Sequence, residues 1–514
     1  MNPSVLTRPL PPADSGASGG SLLRNTLFNF AAQAVPLALG IITTPFLIRA
    51  LGTDRYGLLG LAWVVLGYFT MFDLGLGRAV TKYVAEFLAQ DRRKRALDLV
   101  WSAVIVQSIL GLLGALVLVG IAPVLTTRVL HISPLLRGEA LSVFRLLGVA
   151  LPVVLISGSF SGLLEAVRRF DLVNAVRTPL SVLSLLLSVL GAMAGLSLSA
   201  IVGVVLLTRV VGLLALIILA LRIFPQLRSL SPESSLIRRL LTYGGWVTVS
   251  SVVAPILVYL DRLVVATLMS LGALAYYTAP YDAATKLWII PASLTTTLFP
   301  TFSSLQSTRD RDHLGVLLAR AVKLVALTLG PIVVLLTLFA PEILQLWLGT
   351  EFSRRSALPL QILSWGVLVN SLAHVPYSML HGIGRPDLPA KFHIAELPVY
   401  AGLSWFLIGR WGISGAAAAW TIRVTLDALL VFGAAFSVCR FPLRTLVLHR
   451  VPSTGLALVL LVGLTYGVKR LVTTLPLVTQ SLFFGALLGL FAWVVWIGVL
   501  DAVERGAVFK LVRL

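Results

Sequence analysis

Long apolar stretches alternate with short polar ones along the whole chain, and that alternation sets the elements. Fourteen apolar segments fall at roughly 25–48, 56–77, 97–121, 139–164, 171–193, 196–221, 240–262, 274–302, 319–340, 356–380, 389–409, 413–438, 451–468 and 476–500. Each is close to or above the roughly 20 residues a helix needs to cross a bilayer. Barrel strands would alternate with period two over about ten residues; these runs do not, so they predict helices. The expected fold is an all-α polytopic membrane protein with fourteen transmembrane helices. The eighth segment is over-long and carries Pro280, Pro291 and Pro300, so kinks are expected there, with neighbouring helices satisfying the freed carbonyls.

The placement of basic residues tests the helix count. With the N-terminus in the cytoplasm, 26 of the 41 Lys and Arg residues fall in cytoplasmic stretches, 10 in outer loops and five inside helices. This is the positive-inside bias of membrane proteins. A helix missed or invented mid-chain would invert every later loop and spoil it. An even helix number with both termini cytoplasmic follows.

The first hairpin, Arg24 to Glu86, also has an echo. Its first helix carries Pro36, then Leu51-Gly52, then Tyr56; the seventh carries Pro255, then Leu271-Gly272, then Tyr276. The spacing between the glycines spans six helices, and a repeat after six helices relates two lobes by an axis along the membrane normal. The expected division is a disordered cytoplasmic tail over 1–23, a six-helix lobe over 24–230, a second over 231–445, and an additional helix pair with a cytoplasmic tail over 446–514. The Pro-, Gly- and Ser-rich opening residues lack the apolar region of a signal peptide.

Composition narrows the function. The chain is 58% hydrophobic and 12% charged, with a formal charge of +20. That charge sits in loops between membrane segments, which argues against nucleic acid as a partner. A single cysteine, Cys439, permits neither an internal disulfide nor a cysteine metal cluster. There is no G-x-x-x-x-G-K-[ST] phosphate loop and no H-E-x-x-H. HGIGRPD at 381–387 reads as a helix terminator. No enzyme, cofactor, metal or catalytic residue is expected.

The first hairpin holds P-x-x-x-R-x-LG-x-x-x-YG, formed by Pro45, Arg49, Leu51, Gly52, Tyr56 and Gly57, followed by FDLGLGRAVTKYVAE with Asp73, Gly75 and Gly77. Later come LDRLVVATLMSLGALAYYTAPYDAATKL and LFPTFSSLQ. Together these resemble the Wzx-type polysaccharide flippases of the MOP exporter superfamily, most clearly over 24–95 and 243–323. The resemblance implies two six-helix lobes around a central cavity plus a C-terminal helix pair. It also implies movement of a polyprenyl-pyrophosphate-linked oligosaccharide from the cytoplasmic to the outer leaflet by alternating access, with H⁺ or Na⁺ as a coupling ion.

Candidate chemistry lies in charges inside the membrane, where each costs at least about 2.5–3.5 kcal/mol unless it faces a wet cavity or a partner. The five internal cations are Arg145, Arg177, Arg209, Lys286 and Arg423. Arg145 and Arg177 are near enough to a helix end to snorkel. Arg209, Lys286 and Arg423 are central. Asp282 with Lys286, and Arg423 with Asp427, are spaced i,i+4 and could each close a local pair. Arg209 has no acid in its helix and is the first choice for a substrate-facing cation; a hydrogen bond to neighbouring carbonyls is the alternative. Arg209, Lys286, Arg423 and Arg145 are thus expected to bind substrate, with Tyr281 and Trp288 stacking on sugars. Tyr277 is expected at the membrane interface. Asp261 and Arg262 are placed at the outer helix end. Asp282, Asp427 and Glu396 are candidates for ion coupling or charge pairing.

The function expected is a monomeric lipid-linked oligosaccharide flippase of a bacterial inner membrane, serving surface polysaccharide biosynthesis with membrane lipid as its surroundings. A multidrug or ion-coupled exporter of the same superfamily is the alternative; it should place unpaired acids in its cavity. A membrane-embedded polysaccharide polymerase or ligase fits less well, because the outer loops are short.

Overall fold

The first apolar segment and most of the second form two helices that meet at a non-helical Gly52, where φ is +76°; together they are α1 (Gly19–Met71). Only glycine adopts that backbone without strain. The computed structural model describes residues 19–71, 76–130, 132–167, 169–229, 232–233, 236–237, 253, 256–308, 311–439, 444–472, 477–501 and 504–506. The tail over 1–18, Asp73, Pro255 and most of the seventh segment lie outside them. Among the described residues the chain is all-α, in keeping with a polytopic membrane protein. Among the described residues, nine helices are long and apolar enough to cross a membrane.

After α1 come α2 (Leu76–Ala89), α3 (Arg93–Val124), α4 (Arg137–Ala166), α5 (Phe170–Met193) and α6 (Leu198–Ile223). A helical stretch at 256–268 precedes α7 (Leu271–Thr285) and α8 (Ile289–Thr308). Then follow α9 (Arg311–Leu338), α10 (Ala340–Leu348), α11 (Thr350–Gly382), α12 (Asp387–Cys439), α13 (Arg444–Leu448), α14 (Val451–Val472) and α15 (Leu477–Val494). Helix α12 joins two membrane segments across a kink at Gly412, φ +56°. The expected break in the eighth segment is a 3₁₀ turn at Lys286–Trp288. Pro291 has no N–H to offer the Leu287 carbonyl one turn earlier, and its ring crowds that carbonyl. HGIGRPD ends α11, with Gly384 at φ +75° and an Arg385–Asp387 ion pair of 2.9 Å.

The chain forms two compact units, Met1–Thr278 and Ala279–Leu514. In the first, α2 and α3 pack on α4 through Val80, Val84, Ala103 and Phe160. In the second, α9, α11 and α12 share a core that includes Leu318, Val325, Val375, Met379 and Cys439.

Among the described residues, the loop ion pairs between separate segments join residues that the helix count puts on the same face. Arg55 meets Glu139 at 2.9 Å and Lys469 meets Glu342 at 2.7 Å on one face. On the other, Arg95 meets Glu233 at 3.8 Å and Arg320 meets Asp501 at 3.2 Å. A helix too many or too few between partners would separate them by a membrane thickness.

The two Leu-Gly-x-x-x-Tyr elbows touch within the first unit. A Cβ on Gly57 would lie 1.8 Å from the Leu271 carbonyl oxygen, and one on Gly272 would lie 2.7 Å from Asp54 Oδ1. Backbone meets backbone at Gly57, so no side chain can yield. Gly57→Ala should destabilise the protein by about 1–3 kcal/mol through overpacking, read as a lower melting temperature in detergent. An unchanged melt would show that the two helices part freely. Asp261 is fully buried here rather than interfacial: it accepts bonds from the Tyr277 hydroxyl and, at 2.8 Å, from the Arg262 N–H. Tyr277, expected at the interface, is buried with it.

The last helix pair is tied to α9. Its core contacts are Val334 with Leu461 and Leu487, and Gly330 leaves room for Leu458. Beyond a π-helical end at Val495–Val499, Asp501 and Glu504 form a reciprocal capping box, with N–H to carboxylate bonds of 2.9 and 2.8 Å. Lys323 of α9 is 1% exposed and reaches Glu504 at 2.6 Å. Removing one partner of a buried pair strands the other charge, at about 3–5 kcal/mol. Glu504→Ala should therefore lower thermal stability by about that amount, and a wild-type melt would refute the clasp.

Burial tends to raise the Asp501 pKa. The Glu504 N–H and the nearby Arg320 and Lys323 charges outweigh it and hold the value below normal. The folded value is depressed, so this stabilisation is complete above the unfolded pKa, near 3.9. It is lost as pH falls through the lower folded value.

Candidate functional site

Three helices of the first unit carry small and polar residues at the same helical spacing. On α4 these are Val154, Ser157, Gly158 and Ser161; on α5, Arg177, Leu180, Ser181 and Ser184; on α6, Arg209, Gly212, Leu213 and Leu216. Each set follows i, i+3, i+4, i+7, which is one face of a helix. The faces converge on a cavity of about 320 Å³. Gly212 matters to the shape, since a Cβ there would come within 3.0 Å of Leu180 Cδ1.

The cavity is cationic. Both arginines line it, and no acidic residue is among the described residues of its wall. Arg177 lies 3.6 Å from Glu165, with its side chain 55% exposed. Arg209 makes no ion pair or hydrogen bond with a described residue, and the Arg177 charge repels it. It is accessible because the cavity reaches it.

The hydroxyls face the other way in hydrogen-bonding terms. Ser157, Ser181, Ser184 and Thr208 donate to carbonyls of their own helices at 2.7–2.8 Å. Their oxygens remain available as acceptors. Ser161 Oγ is buried with no hydrogen-bond partner among the described residues. Two guanidinium forks and a ring of acceptor oxygens suit an anion attached to a polyol.

A second polar cluster is buried in the second unit, across the two halves of α12. Arg423 Nη1 lies 3.7 Å from Glu396 Oε2, and His393 Nε2 lies 3.6 Å from Asp427 Oδ1. The Glu396 and Asp427 carboxylates repel one another. Neither Glu396 oxygen has a hydrogen-bond partner among the described residues, nor does Asp427 Oδ1. Their side chains are only 1% and 9% exposed. With histidine neutral, two carboxylates and one guanidinium leave one negative charge uncompensated. His374 on α11 also faces Asp427. The Arg423 guanidinium sits over the Tyr400 ring at 5.6 Å.

A family model described as a polysaccharide biosynthesis protein matches residues 22–306, more than half of the chain. The chain belongs to this polysaccharide biosynthesis family. A second model, described as MatE, matches residues 247–406. A relative described as a putative O-antigen transporter, from Shigella flexneri, is 28% identical over 411 residues, spanning 80% of this chain and 97% of that protein. Among solved structures, the lipid II flippase MurJ in an inward closed conformation matches with a TM-score of 0.75 at 14% identity, over 91% of this chain and 99% of that one. An inward-facing multidrug resistance MATE family transporter of the MOP superfamily matches with a TM-score of 0.69 at 16% identity, over 80% of this chain and 98% of that one. At these identities the two structures establish a shared fold. The hairpin motifs that carried the polysaccharide-flippase resemblance all fall inside the matched residues 22–306.

In this member of the polysaccharide biosynthesis family, the predicted residues do not all meet. Arg209 lines the first cavity. Arg145 is exposed on α4 and outside that lining; it stands nine residues before Val154, about two and a half turns, and so on the opposite face. Arg177, left out of the expected set, is inside. Arg423 pairs with Glu396 rather than with Asp427. No Asp282–Lys286 ion pair is seen among the described residues, and a 3₁₀ turn begins at Lys286. Tyr281 is 2% exposed, edge-on to Trp420 at 5.4 Å. Trp288 also packs near Trp420, at 6.2 Å. Tyr281 and Trp420 are both buried, and Tyr281 presents no free face to a sugar here. The buried Ser159–Gln107 bond of 2.6 Å between α4 and α3 was not anticipated.

Proposed function

We propose that this protein flips a polyprenyl-pyrophosphate-linked oligosaccharide from the cytoplasmic to the outer leaflet of a bacterial inner membrane, by alternating access. The observation that carries this reading is the α4–α5–α6 cavity, with its two arginines, its acceptor hydroxyls and no acid among its described lining residues. Hydrocarbon can satisfy neither a diphosphate nor sugar hydroxyls. Arginine forks hold a diphosphate through charge-assisted bonds, and the polyprenyl chain can stay in lipid. The process needs no covalent step.

The O-antigen transporter relative and the family model support a glycan cargo. The multidrug exporter alternative draws on the MatE match and the MATE neighbour. A site for cationic drugs calls for acids, and none is among the described residues that line this cavity. We assign the six-helix lobes to 24–230 and 231–445, the extra helix pair to 446–514, and both termini to the cytoplasm, following the basic loops.

We further assign ion coupling to the Glu396–Asp427 pair, with a proton as the ion. The groups packed around it include the nitrogen donors of Arg423 and His393. Among the described residues, no cluster of three His, Cys, Asp or Glu is placed to hold a metal.

The discriminating experiment reconstitutes the purified chain in vesicles and offers it two cargoes, a polyprenyl-pyrophosphate oligosaccharide and a cationic dye. Flipping of the glycan lipid alone supports the reading. Export of the dye without glycan flipping would replace it with the exporter.

A further inference from the structure

Three histidines of the second unit stand near the buried carboxylates. His374 and His381 lie on α11, and His393 lies on the first half of α12. His374 Nδ1 faces the Asn370 carbonyl at 2.9 Å, and His381 Nδ1 faces the Tyr377 carbonyl at 3.0 Å. A carbonyl only accepts, so each neutral ring carries its hydrogen on Nδ1 and keeps Nε2 as an acceptor. His393 differs from both. It makes no hydrogen bond with a described residue, and its side chain is 21% exposed.

The rings follow one another inward. His381 stands three residues before the exposed turn at Gly384 and Arg385, on the cytoplasmic side in the orientation set by the basic loops. Its ring packs on Tyr377 with centroids 4.3 Å apart, and Tyr377 stacks in turn on His393 at 6.2 Å. His393 Nε2 then comes to 3.6 Å from Asp427 Oδ1. That gap is just outside hydrogen-bond reach, so a small turn of the unbonded ring makes or breaks the contact. The charged neighbours acting on His393 are Asp427 and Arg423 on the second half of α12 and His381 on α11. On its own half of α12, Asp387 and Lys391 pair with each other at 3.5 Å. The carboxylates beyond are nearly shut off from water, with Glu396 only 1% exposed. A bare charge does not cross such surroundings unaided.

We propose that His381 and His393 form a proton relay joining the cytoplasm to the Glu396–Asp427 pair. The relay rests on the assignment of ion coupling to that pair. His381 Nε2 takes a proton from cytoplasmic water and passes one on to His393, which turns toward Asp427. The imidazolium Nε2–H bond breaks as an Oδ1–H bond forms, leaving a neutral imidazole and a carboxylic acid. No electron is transferred, and the reverse sequence returns the proton to the cytoplasm. Histidine suits the task because it loads and unloads near neutral pH, whereas an arginine would keep its proton. Chains of carboxylates and histidines inside membrane helices serve as proton relays. His374 also faces Asp427. It stands seven residues before His381, about two turns farther from the cytoplasmic end, and packs near Trp288 at 6.2 Å.

The test uses the full chain in vesicles with an imposed pH difference, strongly buffered on both faces, and a polyprenyl-pyrophosphate oligosaccharide as cargo. His393→Ala should slow the gradient-driven part of transport about 100-fold, the low end for proton transfer by a positioned side chain. Added imidazole should restore it, because the free ring can stand where the side chain stood. His381→Ala should show the same loss and the same rescue. His393→Gln fills the space and keeps the test readable if the alanine variant unfolds: it should be slow and gain nothing from imidazole. Glu396→Gln is measured beside them. If it uncouples transport while His393→Ala keeps the wild-type rate, or if imidazole restores neither alanine variant, the relay is wrong and the coupling pair stands. If Glu396→Gln still follows the gradient, the coupling assignment falls and the relay with it. Imidazole rescue of His374→Ala in place of His393→Ala would overturn the choice of His393.

Discussion

Arg209→Ala should cut transport of the lipid-linked glycan by roughly 10- to 100-fold without unfolding the protein. The magnitude comes from losing a charge-assisted contact to a diphosphate, worth about 1.5–3 kcal/mol, at tenfold per 1.4 kcal/mol. Arg209 makes no ion pair or hydrogen bond with a described residue, so its removal strands no buried acid. Melting in detergent should therefore stay near wild type, which separates a cargo defect from a folding defect. Arg209→Lys keeps the charge but not the fork and should recover only part of the activity. Arg177→Ala should cost less, because Arg177 already shares its charge with Glu165 at 3.6 Å. Arg145→Ala, on the far face of α4, should cost nothing. Surface polysaccharide restored to a flippase-deficient strain measures all four. Full activity in Arg209→Ala would end the cationic-cavity reading.

These two arginines show what the sequence could and could not disclose. The helix count was legible because a bilayer forces long apolar runs and sorts basic residues by side. The same-face ion pairs, such as Arg55–Glu139 and Arg320–Asp501, follow from it. Arg209 was legible because a mid-helix arginine without a nearby acid has few alternatives. Arg177 was missed because depth alone was weighed. The repeated i, i+3, i+4, i+7 pattern of Ser and Arg on α5, matched on α4 and α6, was the available signal. Arg145 falls outside the cavity's lining for the complementary reason: depth says nothing about which face of α4 a residue occupies.

The pairing of Arg423 was out of reach for another reason. An i,i+4 rule offers Asp427, but the kink at Gly412 folds the first half of α12 back on the second and delivers Glu396 instead. That contact is tertiary, and no local spacing encodes it. Tyr281 failed in the same way: its aromatic face was legible, but its burial against Trp420 was not.

The kink also creates the pair for which Glu396→Gln should abolish proton-driven transport. Glu396 and Asp427 together hold one negative charge more than Arg423 balances. A single proton neutralises the site, and its release restores the repulsion. A cycle that loads and unloads this proton from opposite sides gains about 1.4 kcal/mol per unit of pH difference, or tenfold in the cargo ratio. Glutamine fixes the neutral state permanently. The variant should exchange glycan lipid down its own gradient yet gain nothing from an imposed pH gradient, where wild type gains about tenfold per unit. It should lose some thermal stability, because Arg423 loses the carboxylate it pairs with at 3.7 Å, so transport is compared per folded protein. Asp427→Asn leaves that pair in place and should lose the coupling without that cost. Arg423→Leu should cost more: both carboxylates lose their only nearby guanidinium in the described structure, at about 3–5 kcal/mol. Vesicles with an imposed pH difference, compared with and without an uncoupler, read the coupling. If Glu396→Gln still follows the gradient, the proton enters elsewhere and the buried pair is structural.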